Sequence, residues 1–140
     1  MTLPKNATRV AVPNERSCAD AIVDDIINRL ENHGFDPTSI FAIRLAVEEA
    51  LANAMQHGNR CDPKKSIRVG YHITPEDALI EIEDDGPGFN PHTVPDPTEE
   101  ANIEIPSGRG LMLMRAYMTD VEYNACGNSV AMRYVRKCAS

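Results

Sequence analysis

The segment that most constrains this chain runs from Ser39 to His57, its most apolar stretch. Asp36-Pro37-Thr38-Ser39 supplies helix-capping residues ahead of it, and Gly58-Asn59 ends it. Turned through about 100° per residue, Ile40, Ile43, Val47, Ala50, Leu51 and Ala54 gather on one side of a helix. Glu49, Asn53 and His57 line up along the border of that buried face at i, i+4 and i+8. A polar line on so apolar a helix needs a reason. A second amphipathic helix precedes it, with Ala19, Ile22, Val23, Ile26, Ile27 and Leu30 at three- and four-residue steps between Ser17 and His33. Asn14 or Ser17 is placed to cap this helix, and Gly34 stops it.

The rest of the pattern is mostly extended. Arg9 to Val12 reads as a first strand. Ser66 to Thr74 and Ala78 to Glu83 alternate apolar with polar residues and read as an antiparallel pair. Val121 to Asn124 and Ser129 to Val135 form a closing hairpin around Cys126-Gly127-Asn128. Between them, Gly86 to Ser107 holds Pro87, Pro91, Pro95, Pro97 and Pro106, which suits a lid or binding loop rather than regular structure. Gly110 to Met118 reads as a short helix. The 140 residues amount to a single domain, 1–140, and show no repeat or linker. Aromatic residues are only 5%, so the core is aliphatic.

With 14 Lys and Arg against 21 Asp and Glu, the formal charge of -7 disfavours nucleic-acid and anionic-membrane binding. Four scattered cysteines signal neither a disulfide framework nor a zinc site. No signal peptide or membrane-spanning run stands out, and a cytoplasmic setting is the expectation.

Three motifs carry chemistry. In the first, Glu49 sits at the margin of a buried face, where a carboxylate suits taking a proton from a hydroxyl, while Glu48 projects toward solvent beside Arg44. Asn53 offers a neutral oxygen that can complete the shell of a magnesium ion otherwise held by water and phosphate. Read alone, the same residues form an ordinary polar helix end. In the second, Asp84-Asp85-Gly86-Pro87-Gly88-Phe89 follows an alternating strand but is not followed by a return strand, which weakens the hairpin reading. Gly86 and Gly88 let a flat ring lie against the backbone, and Asp84 can accept a hydrogen bond from an adenine amino group where guanine presents a carbonyl. In the third, Gly108-Arg109-Gly110-Leu111 opens a helix, so free N–H groups and the Arg109 fork can hold phosphate. Neither glycine motif is the dinucleotide or P-loop pattern.

In this order, over roughly Phe35 to Val135, the three motifs resemble those of the histidine-kinase-like ATPase superfamily, which includes gyrase, MutL and the sensor histidine kinases. Its N-box corresponds to Glu49 through Asn59, its D-x-G-x-G box to Asp84 through Gly88, and its G-x-G-L box to Gly108 through Leu111. The resemblance implies an α+β, two-layer α/β sandwich of the Bergerat type, with helices on one face of a mixed, mostly antiparallel sheet. It implies ATP bound beneath a lid at about 90–107, with Asn53 as magnesium ligand and Asp84 as adenine reader. His57, Gly86, Gly88, Gly108, Arg109, Gly110 and Leu111 fall in its nucleotide-binding boxes. Ser129 stands where the family usually has a threonine near the adenine.

The compact form, with HGN, GPGF and GRGL-x-L-M, is similar to the bacterial anti-sigma factor serine/threonine kinases. That likeness implies an ATP-dependent protein kinase in a partner-switching pathway, with Glu49 as general base and Arg109 and the neighbouring amides steadying the transferring phosphoryl group. It also implies a STAS-type anti-anti-sigma substrate, a sigma factor partner and a homodimer. Two other readings use the same nucleotide residues: an ATP-responsive binding module without phosphotransfer, and a stand-alone ATPase domain serving another phosphoacceptor in trans.

Overall fold

The computed structural model describes residues 2–59, 62, 64–86, 114–124 and 127–136. In chain order they form β1 (Thr8–Pro13), α1 (Arg16–Asn32), α2 (Pro37–Asn53), a π-helical turn (Ala54–Gly58), β2 (Ser66–Ile73), β3 (Asp77–Asp84), β4 (Asp120–Tyr123) and β5 (Ser129–Val135). Residues 114–117 are also helical, matching the end of the short helix read from the sequence.

The strands make one sheet in the order β1-β2-β3-β5-β4, and every neighbouring pair is antiparallel. Strict alternation sorts its side chains. Ile67, Val69 and Tyr71 of β2 face Asp84, Ile82 and Ile80 of β3 in register, and Val130 and Met132 of β5 continue that row. All of these are buried. Both helices pack on this side. From α1 they contribute Ile22, Val23, Ile26 and Leu30, and from α2 Ile43, Ala46, Val47, Ala50 and Leu51, which completes a single aliphatic core. The opposite face is charged and ion-paired, as Arg68 to Glu83 at 2.6 Å and Arg133 to Asp77 at 3.2 Å illustrate. The α+β sandwich with helices on one face of the sheet is therefore the observed architecture.

The helix ends follow from local chemistry. The Asp36 side chain accepts the Ser39 N–H at 3.2 Å, and Pro37 sits at the first helical position, where a missing N–H costs nothing. Gly34, at φ 77°, closes α1, with the Gly34 N–H on Glu31 O at 3.0 Å and the Phe35 N–H on Leu30 O at 3.0 Å. The start of α1 departs from expectation. Glu15 occupies its N-cap without a side-chain capping bond to the helix backbone, Ser17 lies inside the helix, and Asn14 is turned inward and buried. Asn14 makes interior hydrogen bonds instead, described below.

The N-terminal residues fold over the outer sheet face, where Leu3 fills the space left by the missing side chain of Gly70. At the other end, the Arg136 guanidinium lies 4.9 Å over the Phe35 ring and donates to His33 O and Pro75 O, each at 3.2 Å, and to Gly34 O. No helix among the described residues is long and apolar enough to cross a membrane.

Candidate nucleotide site

Glu49 and Asn53 lie one turn apart at the C-terminal end of α2. The helix does not run on to His57 in α-helical form. After Asn53 the chain widens into the π turn Ala54–Gly58, closed by the Asn59 N–H on Ala54 O at 2.8 Å. Single π turns inside helices are rare and concentrate at functional sites. Here the turn carries Gly58 against the end of β3. His57 falls on the π turn, so the regular i+4 ladder from Glu49 stops at Asn53.

Glu48 pairs outward with Arg44 at 2.9 Å, as its angular position predicts. Glu49 is half-buried and has no ion pair with another described residue. Asn53 is the unusual member, because its amide Nδ2 is buried with no hydrogen-bond partner among the described residues. Leaving such a group unpaired costs about 1–3 kcal/mol. A donor left so calls for an acceptor, which a bound water or a ligand oxygen can supply.

Asp84 ends β3 on the inner face and is only 7% exposed. Its N–H donates to Asn128 O at 2.9 Å, and its Oδ1 accepts the Gly86 N–H at 2.8 Å. Oδ2 has no donor among the described residues. Burial pushes the carboxyl above the ordinary carboxylate range, while the Gly86 N–H pulls the other way. Two glycines make this seat. A methyl group on Gly58 would overlap the whole Asp84 carboxyl group, and one on Gly86 would strike the Gly58 carbonyl and come within 2.9 Å of Asp84 Oδ1. The α2 end, the turn after β3 and the carboxylate therefore meet at backbone contact.

Asp85, the next residue, points the other way. It accepts the Ser66 N–H at 2.9 Å and Arg68 Nη1 at 2.7 Å. The Ser66 N–H, followed by Arg68, holds its carboxyl below the usual range. Of two adjacent acids, one is thus solvated and ion-paired and the other is kept for the site. Near Asp84, burial raises the Tyr123 phenol to about 12, and the Asp84 charge adds to that shift. The ring consequently stays neutral at ordinary pH.

Among the described candidates, Ser129 is placed away from Asp84. It lies opposite Glu83 in the β3–β5 register, and Glu83 faces Arg68 on the outer side of the sheet. Period-two alternation therefore puts Ser129 on the opposite face from Asp84, and the residue against Asp84 is Asn128. Gly88, Gly108, Arg109, Gly110, Leu111 and the lid at 90–107 lie outside the described residues.

One residue near the site was read from the sequence only as a helix end and as the close of the first motif. Asn59, the last residue of the first motif, is fully buried. Its Oδ1 accepts the Asp85 N–H at 2.8 Å, and its Nδ2 donates to Ser66 O at 2.9 Å and to Asn14 Oδ1 at 3.4 Å. Asn14 in turn donates to Met55 O at 3.4 Å and Asp62 O at 3.2 Å. The two asparagines are 45 residues apart, so no local spacing marks the pair.

The "Serine-protein kinase RsbW" of Oceanobacillus iheyensis is 30% identical over 120 residues, covering 81% of this chain and 74% of that protein. The "Anti-sigma F factor" of Clostridium perfringens is 29% identical over 114 residues, covering 70% of this chain and 81% of that protein. Among solved structures, the RsbU and RsbW domains of Rv1364c from Mycobacterium tuberculosis superpose with a TM-score of 0.62 at 16% identity. That match covers 96% of this chain and 33% of the longer one, and it speaks for the fold alone. Residues 14–134 match the histidine kinase-like ATPase domain. With the family model matched over residues 14–134 and a relative 30% identical over 81% of its length, the chain belongs to the histidine kinase-like ATPase domain family.

Proposed function

We propose that this protein is an ATP-dependent protein serine/threonine kinase that acts as an anti-sigma factor in a partner-switching pathway. The observation that carries the nucleotide part is the seat that Gly58 and Gly86 make for the buried Asp84 carboxyl group, whose Oδ2 has no donor among the described residues. Asp84 Oδ2 takes the exocyclic amino group of adenine, and a guanine carbonyl in the same place meets a repelling oxygen. Gly58 and Gly86 keep side-chain bulk away from the base. Asn53 has the donor type for a magnesium ion, binding through its amide oxygen. Magnesium, when bound, offsets the charge of the triphosphate.

Glu49, one turn before Asn53 and free of any described ion pair, takes the proton of a serine or threonine hydroxyl on a partner protein in this reading. Arg109 with the amides of Gly108 to Leu111 steadies the transferring phosphoryl group, and residues 90–107 act as the lid. The relatives named serine-protein kinase and anti-sigma F factor support the choice of acceptor and of partners. Those partners are a STAS-type anti-anti-sigma protein as substrate and a sigma factor, with this chain acting as a dimer.

The test is incubation with a candidate antagonist protein and labelled ATP. Wild type is expected to transfer label in an acid-stable, phosphoserine-type linkage, and Glu49→Gln to lose transfer while still binding ATP. Transfer by wild type no greater than by Glu49→Gln refutes the kinase assignment. An acid-labile, alkali-stable product assigns a histidine acceptor instead.

A further inference from the structure

We infer that Asn59 and Asn14 are positioning residues for purine selectivity, a buried amide pair that holds the Asp84 carboxylate in its seat. The inference rests on the reading of Asp84 as the adenine acceptor. Three chain segments meet at Asn59. Its backbone N–H closes the π turn on Ala54 O at 2.8 Å, its Oδ1 holds the N–H of Asp85 at 2.8 Å, and its Nδ2 holds the start of β2 through Ser66 O at 2.9 Å. The segment after α2 and the segment after β3 are thereby tied on either side of the Gly58–Gly86 contact. That contact confines the Asp84 carboxyl group.

Asn14 completes the tie from a fourth segment. Its Oδ1 meets Asn59 Nδ2 at 3.4 Å, and its own amide donates to Met55 O inside the π turn and to Asp62 O beyond it. Asn59 is fully buried and Asn14 only 8% exposed, so water cannot replace these bonds without opening the core. Neither side chain reaches the carboxylate itself. Their effect passes through backbone position, and so it falls on the part of the ligand that Asp84 reads.

This separates the role from plain stabilisation. If the tie is released, the Asp85–Gly86 turn can draw away from Gly58 and Asp84 can leave its rotamer. ATP then loses a charge-assisted hydrogen bond, whereas GTP, which does not use that acceptor, loses little. Selectivity drops rather than nucleotide binding in general.

The full chain, as wild type, Asn59→Ala and Asn14→Ala, is titrated with ATP and with GTP in magnesium buffer. The folded fraction of each protein is measured separately by thermal melting. Asn59→Ala is expected to lose about tenfold in ATP affinity per folded molecule, about 1.4 kcal/mol, with GTP affinity changed much less. Asn14→Ala is expected to shift the ATP-to-GTP ratio the same way by a smaller factor. Amide hydrogen exchange at Asp85 in the nucleotide-free protein is expected to accelerate in Asn59→Ala. Variants whose folded molecules keep the wild-type ATP-to-GTP ratio overturn the inference. Should Asn59→Ala fail to fold, the ratio in Asn14→Ala decides in the same way. A wild type that does not prefer ATP over GTP refutes the reading of Asp84 itself, and that result is visible before any variant is made.

Discussion

Replacing Gly58 with alanine tests whether the close approach of the α2 end to β3 is what seats Asp84. The backbone itself does not forbid the change, because Gly58 is not among the described glycines with positive φ, which are Gly34 and Gly127. On backbone grounds alone, alanine here should stabilise by about 0.4–1 kcal/mol, by restricting the unfolded chain. The sterics act in the opposite direction. The new methyl carbon would come within 2.5 Å of Asp84 Oδ1 and closer still to the other two carboxyl-group atoms. Relief requires the carboxylate to leave its rotamer or the two segments to separate, an overpacking cost of about 1–3 kcal/mol. Breaking the bond from the Gly86 N–H adds to that cost. The net expectation is destabilisation by about 1–2 kcal/mol, or a fall of roughly 3–8 °C in melting temperature for a domain of this size.

The functional loss should be larger than the stability loss. A displaced acceptor forfeits a charge-assisted hydrogen bond to adenine worth about 1.5–3 kcal/mol, so ATP affinity should fall roughly 10- to 150-fold. Gly86→Ala should be worse in both respects, because its methyl strikes the Gly58 carbonyl group, and backbone cannot rotate away as a side chain can. Differential scanning calorimetry with ATP titration of folded protein measures both quantities. A Gly58→Ala protein with unchanged or raised melting temperature and wild-type ATP affinity would refute the steric reasoning.

Asn53→Ala should separate stability from binding in the opposite direction. Removing a buried amide that has no partner among the described residues is expected to leave stability unchanged or raise it by about 1 kcal/mol while abolishing magnesium-dependent ATP binding, whereas a structural asparagine would lose stability. For Asp84, burial raises the folded-state pKa above the ordinary 3.8, so its contribution favours folding below that value and is lost as pH rises through the folded pKa. Asp84→Asn should therefore be more stable than wild type at pH 7, with the difference closing toward pH 4 in melts across that range, and should lose ATP preference. A stability gap that does not narrow on acidification would contradict this. On the outer face, Leu3→Ala and Gly70→Ala should be strongly non-additive, because a methyl on Gly70 occupies the space of Leu3 Cδ1. The double variant in urea denaturation should be scarcely less stable than Leu3→Ala alone, and additive losses would disprove the shared space.

Much of the architecture could be read in the residues because it rests on local periodicity. The alternation through Ile80, Ile82 and Asp84 and the three- and four-residue steps of α1 each place a side chain by geometry alone. The Asp36 cap and the Gly34 stop are likewise decided within a few residues. Asp84 was legible as a candidate site residue for the same reason. It ends a strand on the inner face, its neighbour Asp85 must point out, and the glycines that follow leave room.

What only the tertiary structure decided involves contacts far apart in sequence. Ser129 and Asp84 share no local pattern, so the face on which Ser129 falls depended on the register of β5 against β3, and one residue of register exchanges every side chain between the faces. Asn14 looked like a helix cap because capping is its commonest local use. It is instead spent on Asn59, 45 residues away, because a buried amide needs partners wherever the fold supplies them. The π turn was equally hidden, since the composition of Ala54–Gly58 suits a continuing α-helix, and the wider turn accompanies the seating of Gly58 against Asp84. The sequence by itself thus determined which faces are apolar, where the Asp36 cap and the Gly34 stop fall, and which residue types are candidates to meet a nucleotide. Packing decided which of those residues share a site, because only packing brings the end of α2, the end of β3 and residue 14 to one point.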